Sequence, residues 1–330
     1  MIKLLRSNNP ANYVFMFAFM LILWAFRLIY MPTAIENFET YNLIFKDLPE
    51  TIFSQYFVSI IGFVAIFLFA LLINKSNSEL LIVKSAYQSP GMFYVILSGL
   101  YINAQRLTPL LLSSILLFIS ILILMHSYQK YKAFDNCYNA GLVFGIGILV
   151  FPKLILFFPL LVFALFYIKP VQIRELLLLL MGIFTPLILF ISFVWLYGDL
   201  KSEMTKLSII FSQTFQKGKF SFFYIIVLLN PVLWAILTII AKYLYSPSNK
   251  VSTRKFQTII VIMVLYFLFL YISPLFENEA IVFLYAPLCF LFSNIIISAK
   301  TKISVFFFYG LLISLFVSQF FQISFYFSMY

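Results

Sequence analysis

The residues able to do chemistry in this sequence are few, and they gather at the ends of apolar runs. Two carboxylates, Glu36 and Glu39, follow the first apolar run, with Asp47 and Glu50 further along the same connection. Glu277 and Glu279 stand in a second connection, Ser-Pro-Leu-Phe-Glu-Asn-Glu-Ala. Three cations accompany them: Arg27 inside the first run, Arg106 in Tyr-Ile-Asn-Ala-Gln-Arg-Leu-Thr-Pro, and Lys153 directly after Pro152. Carboxylates opposite cations are what a transfer from a lipid-linked phosphate requires. The acid takes a proton from the acceptor hydroxyl, and the cations stabilise the departing phosphate. Arg suits bidentate recognition of a phosphate, while Lys acts as a point charge. Glu36 and Glu39 are therefore candidate catalytic bases, and Arg27, Arg106 and Lys153 candidate ligands of a lipid phosphate. The same residues would equally serve as an ion-pair network that ties the connections together.

Other chemistries lack their signatures. The sequence has no Gly-rich phosphate loop, no His-Glu-x-x-His and no Gly-x-Ser-x-Gly. Cys137 and Cys289 are too few for a metal cluster, and their placement at a span end and within a span argues against a disulfide framework. The lone His126 falls at the end of an apolar run beside Ser127, Tyr128 and Lys130, a position for an interfacial residue. No metal or other cofactor is required by any of these residues.

The elements that must position them are set by composition. The chain has 330 residues, 64% of them hydrophobic and 10% charged, with 43 Phe and 21 Tyr. A soluble domain carries about 25% charge, so the solvent of this chain is a bilayer, and soluble enzymes and nucleic-acid partners are excluded. Apolar runs near 12–30, 56–73, 109–126, 176–197, 221–241, 256–273, 280–298 and 303–328 are each of spanning length, about 20 residues. Three more, near 86–104, 139–151 and 154–168, are short or interrupted; Pro90-Gly91 opens the first and Pro152-Lys153 divides the other two. With the N-terminus inside, the cytoplasmic connections hold fourteen Lys and Arg against three acids, and the outer ones seven against eight. Joining 139–168 into one helix would reverse that balance for later connections. The expectation is an all-α integral membrane protein of about 11 transmembrane helices, N-terminus cytoplasmic and C-terminus external, as one integral domain over 1–330. Its location would be the inner (cytoplasmic) membrane of a bacterium, with membrane lipids, and in one reading other inner-membrane proteins, as partners.

Two outer connections have helical apolar spacing. Phe38, Tyr41, Ile44, Phe45, Leu48 and Ile52 recur at intervals of three and four between the acids of 31–55. Leu207, Ile210, Phe211 and Phe215 do the same in 203–216, near Lys201, Lys206, Lys217 and Lys219. Both predict amphipathic helices lying at the outer membrane–water boundary. Short helices reach only part-way across a bilayer, and the non-helical backbone beyond them must line protein or a water-filled cavity. A cavity open to the outside is therefore expected within 86–168, with Arg106 and Lys153 at its edge. Gly141 and Gly145 form a Gly-x-x-x-Gly spacing, suited to close helix packing.

This layout resembles the integral-membrane glycosyltransferases of the GT-C fold, which use polyprenyl-phosphate sugars. The run from Asn139 through Gly141, Gly145, Gly147, Pro152, Lys153 and Pro159 to Leu161 is similar to that family's Gly-rich helix, polar break and following apolar helix. The resemblance implies a GT-C-like bundle, a catalytic acid on the first outer loop (Glu36 is the nearest match) and a polyprenyl-phosphate-linked donor entering from the membrane. Through its opening Leu-Leu-Arg-Ser-Asn-Asn-Pro and its size, the chain also resembles a family of Gram-negative inner-membrane proteins without an assigned activity. Three functions are expected in order: cell-envelope biogenesis by a GT-C-like glycosyltransferase, a non-catalytic subunit of an inner-membrane secretion or envelope complex, and a lipid or solute transporter. The last is disfavoured because no inverted repeat and no intramembrane acid pair is present.

Overall fold

The computed structural model describes residues 11–30, 52–83, 88–100, 105–130, 132–170, 172–197, 205, 222–245, 250–272, 281–298 and 301–329. They form eleven α-helices and no strand. In chain order the helices are α1 (Ala11–Tyr30), α2 (Ile52–Leu80), α3 (Ser89–Ser98), α4 (Pro109–Met125), α5 (Phe134–Val150) and α6 (Phe158–Ile168). There follow α7 (Ile173–Tyr197), α8 (Phe222–Tyr245), α9 (Val251–Ile272), α10 (Val282–Ser298) and α11 (Thr301–Met329). Four stretches, Tyr56–Leu80, Ile173–Leu196, Val251–Leu270 and Lys302–Gln322, are long and apolar enough to cross a membrane. The remaining apolar helices are shorter within the described residues.

Each apolar run of the sequence corresponds to one helix, but the lengths differ. The second helix runs on past residue 73 to Leu80, carrying Asn74, Lys75 and Asn77 within it. The Ser78 hydroxyl donates to the Lys75 carbonyl (2.6 Å) there, and Lys75 approaches Glu79 at 3.9 Å, an i,i+4 pair. The runs at 109–126 and 280–298 form helices of 17 residues, about 25 Å long.

Proline sets where the short helices begin. Pro90 lies at the start of α3 and Pro109 at that of α4, where a missing N–H has no helical partner to lose. Thr108 caps α4, its hydroxyl accepting from Leu111 N at 3.1 Å. After α5, Pro152 opens a 3-10 turn (Pro152–Phe157) that reverses the chain into α6. The reversal is complete: Lys169, just past α6, donates to the carbonyl of Lys130, just before α5 (3.3 Å). The division of 139–168 into two helices is thus present.

Two helices occupy the centre. Every residue of α3 is buried, as are residues 282–296 of α10. A helix apolar on all sides belongs inside a bundle. Phe93 stacks on Phe292 with centroids 5.7 Å apart, and Phe118 of α4 stacks on Phe290 at 5.6 Å. By contrast α7 lies at the rim, with Leu177, Met181, Phe184, Ile188 and Trp195 more than half exposed, a face suited to acyl chains.

The residues that follow α2 and the ends of α3 leave backbone groups with no helical partner, and polar side chains of α2, α9 and α11 satisfy them. On the side of α3's N-terminus, Asn77 accepts from Val83 N (2.9 Å) and Asn74 from Gly91 N (2.7 Å). Thr253 and Gln257 of α9 donate to the carbonyls of Leu81 (3.0 Å) and Ile82 (3.1 Å). At the other end, α11 supplies the donors. Gln319 reaches the Gly99 carbonyl (2.8 Å), and Ser318 and Gln322 reach that of Leu100 (2.9 and 2.8 Å). Irregular backbone within a membrane bundle requires such internal partners.

Candidate functional site

The four candidate carboxylates, Glu36, Glu39, Glu277 and Glu279, lie outside the described residues, as do the expected amphipathic segments apart from residues 52–55, which open α2, and Thr205. The three cations belong to described elements. Arg27 is in α1, one turn beyond Trp24. Helix α1 runs antiparallel to α2: Phe17 packs edge-on against Phe67 (5.5 Å) and Trp24 against Phe63 (5.5 Å). The next turn of α1, which carries Arg27, thus comes level with the turn of α2 before Phe63.

Arg106 arrives at the same stretch from another direction. The turn 105–107 lies directly on α2, with Leu107 N donating to the Val58 carbonyl at 3.2 Å. Gly62 makes this contact possible. A Cβ there would come within 2.6 Å of Leu107 N and 2.7 Å of the Arg106 carbonyl carbon. The fold therefore places the backbones of Arg27 and Arg106, separated by most of the first hundred residues, against one segment of α2, residues 58–63.

Lys153 is placed elsewhere. It lies in the 3-10 turn after α5 and is 5% exposed. Phe151 and Phe157 on either side of it face Phe283 of α10 (6.4 and 5.0 Å). Burial of an ionisable side chain in an apolar bundle marks it as a functional candidate. The aromatic rings on either side of it pack on α10, whereas the backbones of Arg27 and Arg106 come to α2.

Two neutral residues beside Arg27 and Arg106 went unnoticed in the sequence. Gln105 is fully buried and its side-chain amide makes no hydrogen bond; the indole N–H of Trp24 is also buried and unpartnered. Neither has a distinguishing local pattern, since a Gln before an Arg in a polar turn reads as solvated.

A groove of about 400 Å3 opens between α5 and α7, lined by Leu142, Ile146, Leu149, Pro186, Leu189 and Phe193 among others. It is apolar and neither Arg106 nor Lys153 lines it, so it differs from the outward cavity edged by cations that the short helices predicted. Among the described residues no three His, Cys, Asp or Glu side chains converge as a metal site would need. His126 caps α4 and meets Glu79 at 3.5 Å, both side chains partly exposed. Both cysteines are buried and unpaired with each other.

Comparison with protein-family models, curated proteins and solved structures finds no match to this chain. The chain is an all-helical protein with helices fit to cross a membrane, and its function has to be argued from the residues above.

Proposed function

We propose that this protein binds the phosphate of a polyprenyl-phosphate-type lipid at Arg27 and Arg106, and acts in building the bacterial cell envelope as a GT-C-like glycosyltransferase of the inner membrane. The observation that carries this reading is the convergence of the two arginines' backbones on residues 58–63 of α2. Arginine at membrane depth is expensive unless it meets an anion, and two guanidiniums offer the planar donor sets that a phosphate accepts. Lys153, buried at its turn, is the third cation of the proposal.

In this reading all eleven helices span or enter the bilayer, with the N-terminus cytoplasmic and the C-terminus external. Alternation of direction supports it. Helices α3 and α2 are antiparallel through the Gly91–Asn74 and Tyr94–Phe69 contacts, and α5 and α4 through Ser120 and the Ala140 carbonyl (2.8 Å). The arginines then lie towards the outer leaflet, on the same side as the loop bearing Glu36 and Glu39. One of those carboxylates would take the proton of the acceptor hydroxyl while the arginines hold the leaving lipid phosphate.

Native mass spectrometry of the protein extracted gently from its own membrane tests this. The expected result is a stoichiometric polyprenyl-phosphate adduct that is lost in Arg106→Ala and weakened in Arg106→Lys, with membrane abundance unchanged. A stoichiometric protein partner without such a lipid would overturn the reading in favour of a non-catalytic subunit.

A further inference from the structure

The bundle buries a series of neutral polar groups that have no hydrogen-bond partner. They are the amide nitrogen of Asn74, the hydroxyls of Ser89, Tyr94, Tyr285 and Ser293, the indole N–H of Trp24 and the amide of Gln105. All seven residues are more than nine-tenths buried. Such groups are rare in folded proteins, and each calls for an occupant or a role.

Their arrangement is not scattered. Gly91 of α3 lies against the Asn74 amide, and Ser89 is two residues before it. Tyr94 packs edge-on against Phe69 at 5.0 Å and lies within electrostatic reach of Tyr285 and Cys289 of α10. Ser293 is one turn beyond Cys289 on the same helix, so residues 285, 289 and 293 form one stripe. At the far end of α3, Gly99 touches Leu23, and Trp24 and Gln105 follow at the level of Phe63 and Gly62. Measured along α2 the series runs from Asn74 to Gly62, a rise of about 18 Å. It follows α3 over its whole length.

We propose that α3, with α1 and α2 on one side and α10 on the other, lines a polar seam that takes up water, forming a hydrated path through the centre of the bundle. The seam's own side chains carry no net charge, which suits water and small neutral hydrogen-bonding molecules and not ions. In the packing observed, the unpartnered atoms are sealed from solvent, so water enters when α3 moves against its neighbours. The means of moving is present: α3 is attached at its first turn by the bond from Gly91 N to Asn74 and at its C-terminal end by side chains of α11, and these bonds can break and re-form. This inference does not depend on the lipid-phosphate reading, since none of its groups is an arginine and none needs a lipid.

Hydroxyl-radical footprinting by X-ray radiolysis, on the protein in nanodiscs, tests it directly, because radicals made from bound water oxidise the side chains beside it. The molecule contains matched controls. Trp234 is buried like Trp24 but its indole N–H donates to Ser314 at 2.9 Å, and Cys137 is as buried as Cys289 but lies on α5, away from the seam. The expected result is oxidation of Trp24 at least tenfold faster than Trp234, and of Cys289 at least tenfold faster than Cys137, with Tyr94 and Tyr285 also labelled. In a Tyr94→Phe, Tyr285→Phe double variant the Cys289 rate should fall to that of Cys137. Equal rates within the pairs, labelling confined to Trp24, or an unchanged Cys289 rate in the double variant would each overturn the proposal.

Discussion

The rim pair α5–α7 and the central pair α3–α10 are held in different ways. In α5–α7 the backbones touch: a Cβ at Gly141 would lie 2.2 Å from the Leu179 carbonyl, one at Gly145 2.5 Å from that of Ile183, and one at Gly182 2.3 Å from that of Tyr138. The cytoplasm-side end, in the proposed topology, is clasped by Glu175, whose carboxylate pairs with Lys169 (2.5 Å) and accepts from Ala133 N (3.3 Å). The central pair instead uses large aromatic side chains, and α3 depends on polar tethers from helices remote in the sequence. Lipid tails are as apolar as leucine, so helices in a bilayer associate through close van der Waals contact or polar bonds. This molecule applies the first at its edge and the second at its centre. The edge is thereby rigid, while the centre keeps bonds that can exchange.

Substitutions can break this contrast. The largest effect is expected from Gly182→Val, where the added carbon meets backbone that cannot turn aside. We expect a loss of about 3 kcal/mol in an SDS unfolding titration. Gly147→Ala sharpens the point, because its neighbour is the end of the Leu154 side chain, at 2.5 Å from the added Cβ. Leu154 can rotate, so the loss there should stay below about 1 kcal/mol. Lys169→Met should rank with Gly182→Val, at about 3 kcal/mol, since it leaves the Glu175 carboxylate buried beside α5 without its cation. Glu175→Gln measured in parallel should lose less.

At the centre, Gln319→Leu with Gln322→Leu removes donors from the carbonyls of Gly99 and Leu100. About 2 kcal/mol is expected, read in the same titration. The double variant should also speed hydrogen exchange in α3 while leaving α5 and α7 unchanged, and equal acceleration in both regions would contradict the division drawn above. The smallest effect belongs to Ser314→Ala, which deletes the bond from the Trp234 indole between α8 and α11 and leaves the packed ring in place. An interhelical bond of this kind contributes about 0.6 kcal/mol.

How much of this was legible in the sequence differs between the two regions for the same reason. The close α5–α7 contact was signalled by Gly141 and Gly145, because four-residue spacing places both on one helical face and the lack of a side chain is itself the feature that packs. The break at Pro152 was equally local: a missing N–H and the charge balance of the following connections pointed to two helices. The central tethers had no such signal. Gln257, Gln319 and Gln322 look like isolated polar residues in apolar helices, and their acceptors lie 175 to 222 residues away in the chain. Among the site residues, Arg27, Arg106 and Lys153 stood out by charge alone, but not which of them would be neighbours. Gln105 and Trp24 did not stand out at all.

By itself the sequence determined the apolar character of the chain, the order of the apolar helices among the described residues and the break at Pro152. Those properties depend on the hydropathy of about 20 residues at a time and on proline geometry, which act within a single helix. Only the tertiary structure decided which helices are central, which carbonyls the glutamines satisfy and that the backbones of Arg27 and Arg106 come to one stretch of α2 while the aromatic neighbours of Lys153 pack on α10. Those relations join residues distant in the chain, and no local pattern encodes them. They are fixed by which faces can approach closely enough to exclude lipid while leaving the irregular backbone hydrogen-bonded.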